Sequence, residues 1–293
     1  MNILIADCGA TKSEWCFLEN GEVKQQFTEK GISPIYQTEE EIAINIRLNV
    51  LPHLLEYKAD EVHFYGAGCI PEKIFSVRSA IFQSFPTDKI FVYSDIVAAA
   101  HALCGDSPGI ACILGTGSNS CEWNGAEIVK QVPPLGFILG DEGSGAALGK
   151  QLVSDALKNQ LTTGLKEKLL TKYNLTTETI IDKVYRQPFP SRFLANLSLF
   201  MLEYLDDKTI RRILEKSFTD FFERNVIQYD YRKNKSNFTG SIAWYFADEV
   251  REVAANKGVE IGKIEKSPMS GLIDYYGNYY SNKKSALVVG QNI

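Results

Sequence analysis

Residues 3–21 read ILIADCGATKSEWCFLENG, in which a short polar turn separates two apolar runs and the second run ends at Asn-Gly. Short apolar runs bounded by polar residues predict β-strands, and Asn-Gly strongly favours a tight hairpin turn. The same order returns at residues 110–125, IACILGTGSNSCEWNG, which again end in Asn-Gly. A repeated strand, turn and hairpin predicts a protein built from two similar halves.

The rest of the chain alternates between strand and helix patterns. Apolar runs predict further strands at residues 62–65, 90–93 and 261–264 and a short strand near Phe238. Helical periodicity predicts helices at residues 39–55, 96–103, 145–160, 165–173, 180–184, 194–225 and 242–255, with one that begins near Pro71 and a further helix after Pro268. Strands that alternate with helices indicate an α/β fold.

The segment at residues 105–109 is the best candidate for a linker, because it is rich in turn-forming residues and lies directly before the repeated hairpin. We therefore expect an N-terminal lobe at residues 1–107. The C-terminal lobe is expected at residues 108–293, with a helical insertion.

The composition is that of a globular protein. Of 293 residues, 45% are hydrophobic and 23% charged, which is enough to build a core and excludes extended disorder. The net charge of −5 provides no basic field for a nucleic acid, so a nucleic-acid partner is not expected. No apolar window approaches the roughly 18 residues of a membrane span, and the N-terminus has no basic flank. We expect a cytoplasmic protein without a membrane partner.

The six cysteines do not form a metal-binding pattern. None belongs to a CxxC pair, and none lies near one of the three histidines at metal-ligand spacing. Zinc and iron–sulfur sites are therefore not expected. Cysteines of this kind are typical of small buried side chains in a reducing compartment.

The first polar turn carries groups that suit a phosphate and a cation. Asp7 ends the first strand, and Gly9, Thr11 and Lys12 follow before the chain returns. In a tight turn of small residues, backbone N–H groups and hydroxyls come close to an anion, and a neighbouring carboxylate can hold Mg²⁺. The alternative is an ordinary polar hairpin.

The second polar turn, Gly115-Thr116-Gly117 followed by Ser118, has two glycines and no acidic residue. It suits the other side of the same phosphate chain. Two such turns at the ends of two similar hairpins are less expected by chance than either one alone.

Asp95 follows the strand at residues 90–93 and precedes an alanine-rich helix. Either Asp95 or Ser94 is suited to cap that helix. Ligands of α/β proteins commonly bind at the carboxyl ends of strands, however, and a carboxylate there can accept the proton of a hydroxyl that attacks a phosphate. Both interpretations stay open on local evidence.

Two more glycine segments open helices. Residues 135–145 contain Gly140, Asp141 and Glu142, whose acidic groups suit either sugar hydroxyls or the N-terminal end of a helix dipole. Gly240-Ser241 suits either a flat base lying on the backbone or a plain helix start. Neither segment matches a Walker loop, and no GxGxxG follows the first strand.

In this order, the motifs resemble those of the sugar kinase, Hsp70 and actin ATPase superfamily, and more closely its N-acetylglucosamine kinase-like branch, the BadF/BadG/BcrA/BcrD ATPase family. The resemblance covers nearly the whole chain. It rests on five motifs: Asp7 to Ser13, Asp95, Gly115 to Ser118, Gly140 to Gly143, and Gly240-Ser241.

The resemblance implies two ribonuclease H-like lobes, as in actin-like ATPases, with a nucleotide cleft between them. It implies ATP and Mg²⁺ as cofactors, a small-molecule sugar as substrate, and a homodimer. The implied roles are Mg²⁺ binding by Asp7; phosphate binding by Gly9, Thr11, Lys12, Gly115, Thr116 and Gly117; adenosine binding by Gly240 and Ser241; sugar contacts by Gly136 and Asp141; and general base catalysis by Asp95 toward a sugar hydroxyl, the 6-hydroxyl first.

At one position this chain departs from the family pattern, so the resemblance does not determine which sugar is the substrate. Where kinases of this family that are specific for N-acetylglucosamine have an asparagine, this chain has Ile35. A second branch of the family uses ATP to drive a partner protein, as the activators of acyl-CoA dehydratases or reductases do with cysteine-held iron–sulfur clusters. Its usual cysteine after the second phosphate turn is not matched here. A sugar-sensing regulator is a third possibility, but the first turn leaves no room for a DNA-binding segment in front of it.

Overall fold

The computed structural model describes residues 1–9 and 12–277, and the chain forms two compact units. Of the described residues, Met1–Gly105 and 268–277 form the first unit, and Asp106–Ser267 form the second. Each unit contains one five-stranded sheet with helices packed on it. Within the described ranges, no helix combines the length and the apolar character needed to cross a bilayer.

The sheet of the first unit has the strand order β3-β2-β1-β4-β5. Its strands are β1 (Asn2–Cys8), β2 (Lys12–Glu19), β3 (Glu22–Lys30), β4 (Glu61–Gly66) and β5 (Ile90–Ser94). Its helices are α1 (Glu39–Asn45), a π-helix (Ile46–Val50), a 3₁₀-helix (Leu51–Leu54), α2 (Pro71–Phe82) and α3 (Asp95–Leu103). Strands β1, β2 and β3 are antiparallel, whereas β1, β4 and β5 run parallel.

The sheet of the second unit has the order β10-β9-β6-β7-β8. Its strands are β6 (Gly109–Leu114), β7 (Ser118–Trp123), β8 (Ile128–Gln131), β9 (Ser236–Thr239) and β10 (Ile261–Glu265). Its helices are α4 (Gly136–Leu139), α5 (Gly145–Leu157), α6 (Leu165–Lys172), α7 (Thr177–Tyr185), α8 (Pro190–Ser198), α9 (Lys208–Arg224), α10 (Ser241–Tyr245) and α11 (Ala247–Asn256), with 3₁₀-helices at Leu199–Glu203 and Val226–Gln228.

The two sheets have the same topology. In each unit the first strand lies at the centre, the second and third strands follow it as an antiparallel meander, and the fourth and fifth pair in parallel on its other side. This match confirms the prediction of an α/β fold with two similar halves. The Asn-Gly pairs lie at the hairpin turns, where Gly21 and Gly125 have positive φ angles of 86° and 102°.

The end of the chain differs from its sequence-based assignment to the second lobe. Residues 269–277 are helical. Met269, Leu272 and Tyr276 of this helix are buried in one cluster with Ile3 and Ile5 of β1. The helix therefore belongs to the core of the first unit, because its apolar face covers the side of β1 that α1 and α2 do not cover.

Candidate active site

The carboxyl edge of the first sheet collects two of the predicted site residues. Because β1, β4 and β5 are parallel, their carboxyl ends lie side by side: Cys8 pairs with Gly66, and Gly66 pairs with Ser94. Asp7 is the residue before Cys8, and Asp95 directly follows Ser94. The parallel register thus brings these two carboxylates to one edge, where α/β proteins commonly bind ligands.

Asp7 is a carboxyl group in a negative environment. Its pKa is raised from 3.8 to about 7, first by burial and then by the charges of Asp95 and Glu14, while Lys12 opposes the rise. Glu14 faces Asp7 directly across the β1–β2 pair. A cation at this position would offset the repulsion between the carboxylates, so the first unit fits a divalent metal ion here.

The first turn is tight. The N–H of Gly9 donates to the carbonyl of Lys12 at 2.9 Å. Thr11, the predicted phosphate ligand between them, lies outside the described residues, so its role stays a prediction. Ser13 is an anchor of the hairpin: its hydroxyl donates to the carbonyl of Lys30 at 2.8 Å and accepts the indole N–H of Trp15 at 2.9 Å.

Asp95 is the first residue of α3, and Ser94 occupies the N-cap position. The Ser94 side chain makes no capping hydrogen bond. The sequence allowed either Asp95 or Ser94 as the N-cap residue. The structure places Ser94 at the N-cap position, although its side chain does not cap the helix. Asp95 lies in the first turn of α3, at its N-terminal end.

A loop that the sequence analysis did not assign to the site lies at the same edge. The loop Ala67-Gly68-Cys69 follows Gly66, the last residue of β4. The charge of Asp95 adds to burial in raising the pKa of Cys69 to about 12. Ile35 lies directly on Gly68, since a Cβ there would be 2.7 Å from its Cγ1. The two glycines at the end of a predicted strand were the signal that could have identified this loop.

The second turn is held by a helix N-terminus. The N–H of Gly115 donates to the carbonyl of Gly117 at 3.0 Å, which closes the turn. The first two N–H groups of α5, those of Gly145 and Ala146, donate to the carbonyls of Gly115 and Thr116 at 2.8 and 3.1 Å. These three hydrogen bonds hold the backbone of the turn in place.

Asp141 contacts this second turn directly. Its Oδ1 accepts the N–H of Ser118 at 3.2 Å, and its Oδ2 would lie 2.9 Å from a Cβ on Gly117. Asp141 has a left-handed φ of 57°, an uncommon conformation for a residue other than glycine. Gly136, the other predicted sugar contact, belongs to the same loop, and its carbonyl accepts the N–H of Gly140 at 2.8 Å.

Gly240 packs on the entry to the second turn. A Cβ on Gly240 would lie 2.3 Å from the carbonyl oxygen of Leu114, and its φ of +115° is one that L side chains rarely adopt. Ser241 follows it as the first residue of α10. The second unit therefore brings together Gly115 to Gly117, Asp141 and Gly240, which are far apart in the sequence.

Comparisons with known proteins were made for the whole chain. No family model matches it, and no curated protein matches it. Among solved structures, a protein from Porphyromonas gingivalis described as a candidate N-acetylglucosamine kinase is 45% identical, with 94% of this chain and 99% of that chain covered and a TM-score of 0.91. The alignment therefore spans both units.

Two more distant structures show the fold alone. A protein from Chromobacterium violaceum, also described as a candidate N-acetylglucosamine kinase, is 15% identical, with coverage of 94% and 98% and a TM-score of 0.73. A glucokinase of the ROK family from Streptomyces griseus, solved with glucose and AMPPNP, is 16% identical, with coverage of 94% and 98% and a TM-score of 0.58.

Proposed function

Since this chain belongs to the N-acetylglucosamine kinase-like family, we propose that it transfers the γ-phosphate of ATP to a hydroxyl group of N-acetylglucosamine or a related amino sugar or hexose. The observation that carries the proposal is the 45% identity along 94% of the chain to a protein described as a candidate kinase of that sugar. The carboxylates at the edge of the first sheet and the glycine turn of the second unit supply the chemistry that such a reaction needs.

Asp95 is the proposed general base. Phosphoryl transfer needs little covalent help from the protein, so positioning and charge stabilisation determine its rate. The Asp95 carboxylate accepts the proton of the acceptor hydroxyl, the 6-hydroxyl in this proposal, as the oxygen attacks phosphorus. Its place at the end of β5 and the start of α3 holds it on rigid backbone.

Asp7 is the proposed Mg²⁺ ligand. Within the described residues, no group of three or more His, Cys, Asp or Glu side chains could hold a metal ion. Mg²⁺ is usually held by one or two carboxylates together with substrate phosphates. Burial, and then the charges of Asp95 and Glu14, raise the pKa of Asp7, and a bound cation would favour its ionised form. When bound, Mg²⁺ neutralises charge on the transferred phosphate.

The remaining residues bind and orient the substrates. We assign the phosphates to Gly9, Thr11 and Lys12 in the first unit and to Gly115, Thr116 and Gly117 in the second. The proposed adenosine contacts are Gly240 and Ser241, and the proposed sugar contacts are Gly136 and Asp141. The family resemblance also suggests a homodimer in the cytoplasm.

The direct test is ADP release from Mg²⁺-ATP across a panel of sugars, with N-acetylglucosamine, N-acetylmannosamine, glucosamine and glucose as the first members. We expect at least one of these sugars to stimulate ATP turnover and the phosphorylated sugar to appear in equal amount. ATP turnover that no sugar changes would overturn the assignment and would favour an ATPase that acts on a partner protein.

A further inference from the structure

One face of α9 holds the loop that carries Asp141. Ser217, Phe221 and Arg224 follow one another at helical spacing, so they lie on the same face of α9. The hydroxyl of Ser217 accepts the N–H of Gly143 at 3.2 Å. A Cβ on Gly143 would lie 3.0 Å from the Cβ of Phe221, so the loop packs directly on the helix.

The third contact between α9 and this loop is an ion pair next to Asp141. The Nε of Arg224 lies 2.9 Å from the Oε1 of Glu142. The Glu142 side chain is only 16% exposed, whereas that of Arg224 is 62% exposed. A largely buried carboxylate is costly to leave without a partner, so the pair holds Glu142 on the end of α9.

Asp141 depends on such support because its own backbone conformation is unfavourable. Its φ of 57° lies in the left-handed region, where a residue other than glycine persists only if the surrounding structure fixes it. In this conformation its Oδ1 accepts the N–H of Ser118, directly after the second turn. The contacts of Glu142 and Gly143 with α9 fix the chain immediately after Asp141.

We propose that Arg224 is a positioning residue for the acceptor sugar: its ion pair with Glu142 holds the chain beside Asp141 and so fixes the carboxylate that contacts the sugar. The inference rests on the proposed function, which assigns that contact to Asp141. Asp141 also touches the second turn, but the first N–H groups of α5 hold that turn as well. We therefore expect Arg224 to affect the binding of the sugar more than the binding of ATP.

The test measures kcat and the KM values for the sugar and for ATP in Arg224→Met, which keeps an unbranched side chain but removes its charge. We expect the KM for the sugar to rise about three- to fivefold, the effect of losing a partly exposed ion pair, while kcat and the KM for ATP change little. Arg224→Lys, which keeps the charge, should recover part of the loss. Arg212→Met is the matched control: Arg212 also lies on α9, is 57% exposed and pairs at 3.0 Å with the largely buried Asp155 of α5 rather than with the loop.

A double variant tests whether Arg224 acts through its partner. Glu142→Met removes the carboxylate, so Arg224→Met should add little to the KM for the sugar in that background. High salt should raise the wild-type KM for the sugar toward that of Arg224→Met, because salt screens a partly exposed ion pair. The same salt should leave the KM of the variant nearly unchanged.

Hydrogen exchange at the Ser118 amide follows the position of Asp141 without any sugar, because Ser118 donates to its carboxylate. Exchange should be faster in Arg224→Met than in the wild-type protein and unchanged in Arg212→Met. An unchanged KM for the sugar in Arg224→Met, or an equal rise in Arg212→Met, would overturn the inference and leave the proposed kinase intact. If no sugar stimulates ATP turnover in the wild-type protein, the proposed function fails. The exchange measurement then decides separately whether Arg224 fixes Asp141, and a Ser118 rate that Arg224→Met leaves unchanged would overturn that role as well.

Discussion

The two turns that follow β1 and β6 have the same place in the same topology but different chemistry. The first turn lies beside Asp7, whose pKa is raised first by burial and then by the neighbouring charges of Asp95 and Glu14. The second turn is built from backbone and is held by hydrogen bonds from the start of α5. The two turns therefore differ in what they present: the first has a buried carboxyl group beside it, and the second is held by backbone hydrogen bonds.

The largest effect is expected from removing the proposed base. Asp95→Asn keeps the size of the side chain but not its basicity, so we expect kcat to fall about 100- to 10,000-fold. The KM for ATP should change little, because Asp95 is assigned to the acceptor. Coupled measurement of ADP release gives both values. Asp88→Asn, at an exposed position of the same unit, is the control, and an equal loss in both variants would remove Asp95 from catalysis.

The charge of the first unit also predicts how stability depends on pH. Asp7 has a folded-state pKa of about 7 against 3.8 in the unfolded chain, so between these values the folded state keeps a proton that the unfolded state has lost. Wild-type stability should therefore fall as the pH rises from about 4 to 7, by at most roughly 4 kcal/mol at about 1.4 kcal/mol per pKa unit.

Asp7→Asn removes this titration, so it should be more stable than the wild-type protein above pH 7 and should lose that advantage near pH 4. Urea unfolding at several pH values, with EDTA present and nucleotide absent, measures the difference. A stability difference that stays constant from pH 4 to 8 would contradict the pKa assigned to Asp7. Added Mg²⁺-ATP should narrow the gap at pH 8, because only the wild-type carboxylate gains a cation.

The backbone surface of the second unit can be tested at Gly240. Gly240→Ala places a Cβ 2.3 Å from the Leu114 carbonyl oxygen, whereas Gly258→Ala, also at a positive φ, meets nothing within 4 Å. Both variants carry the strain of a positive φ, of about 1 to 3 kcal/mol, but only the first also displaces the turn, at a further cost of about 1 to 3 kcal/mol. Equal losses in the free energy of unfolding would contradict the close packing, and an ATP KM raised only in Gly240→Ala would support the nucleotide assignment.

Local patterns in the sequence were enough to predict the strands and the two-fold repeat. Apolar runs bounded by Asn20-Gly21 and Asn124-Gly125 depend on neighbouring residues only, and the structure places hairpins there. The expected single helix at residues 194–225 was wrong, because it breaks into three segments. The sequence contains a signal for this break, the N-cap residue Asp207. Its side chain caps α9 by accepting the N–H of Thr209 at 2.8 Å.

The contacts that build the site could not be predicted in this way. Ser118 and Asp141 are 23 positions apart, and Gly240 meets Leu114 from a different strand. Such pairs depend on the order of strands in the sheet, which periodicity does not report. The final helix shows the same limit of local patterns. Its helical pattern is visible in the sequence, but only the packing of Leu272 against the first sheet assigns it to a unit.

The smallest effect is expected at the N-termini of two helices, α3 in the first unit and α5 in the second. Ser144 caps α5 and accepts the N–H of Ala147 at 3.2 Å, whereas Ser94 occupies the same position of α3 without a capping hydrogen bond from its side chain. Ser144→Ala should therefore lower the free energy of unfolding by about 1 kcal/mol, and Ser94→Ala by less than about 0.5 kcal/mol. Thermal and urea unfolding measure both.

The Ser144→Ala variant should also raise the KM for ATP, because α5 holds the second turn through its first N–H groups. An unchanged KM would show that the turn keeps its shape without a capped helix behind it.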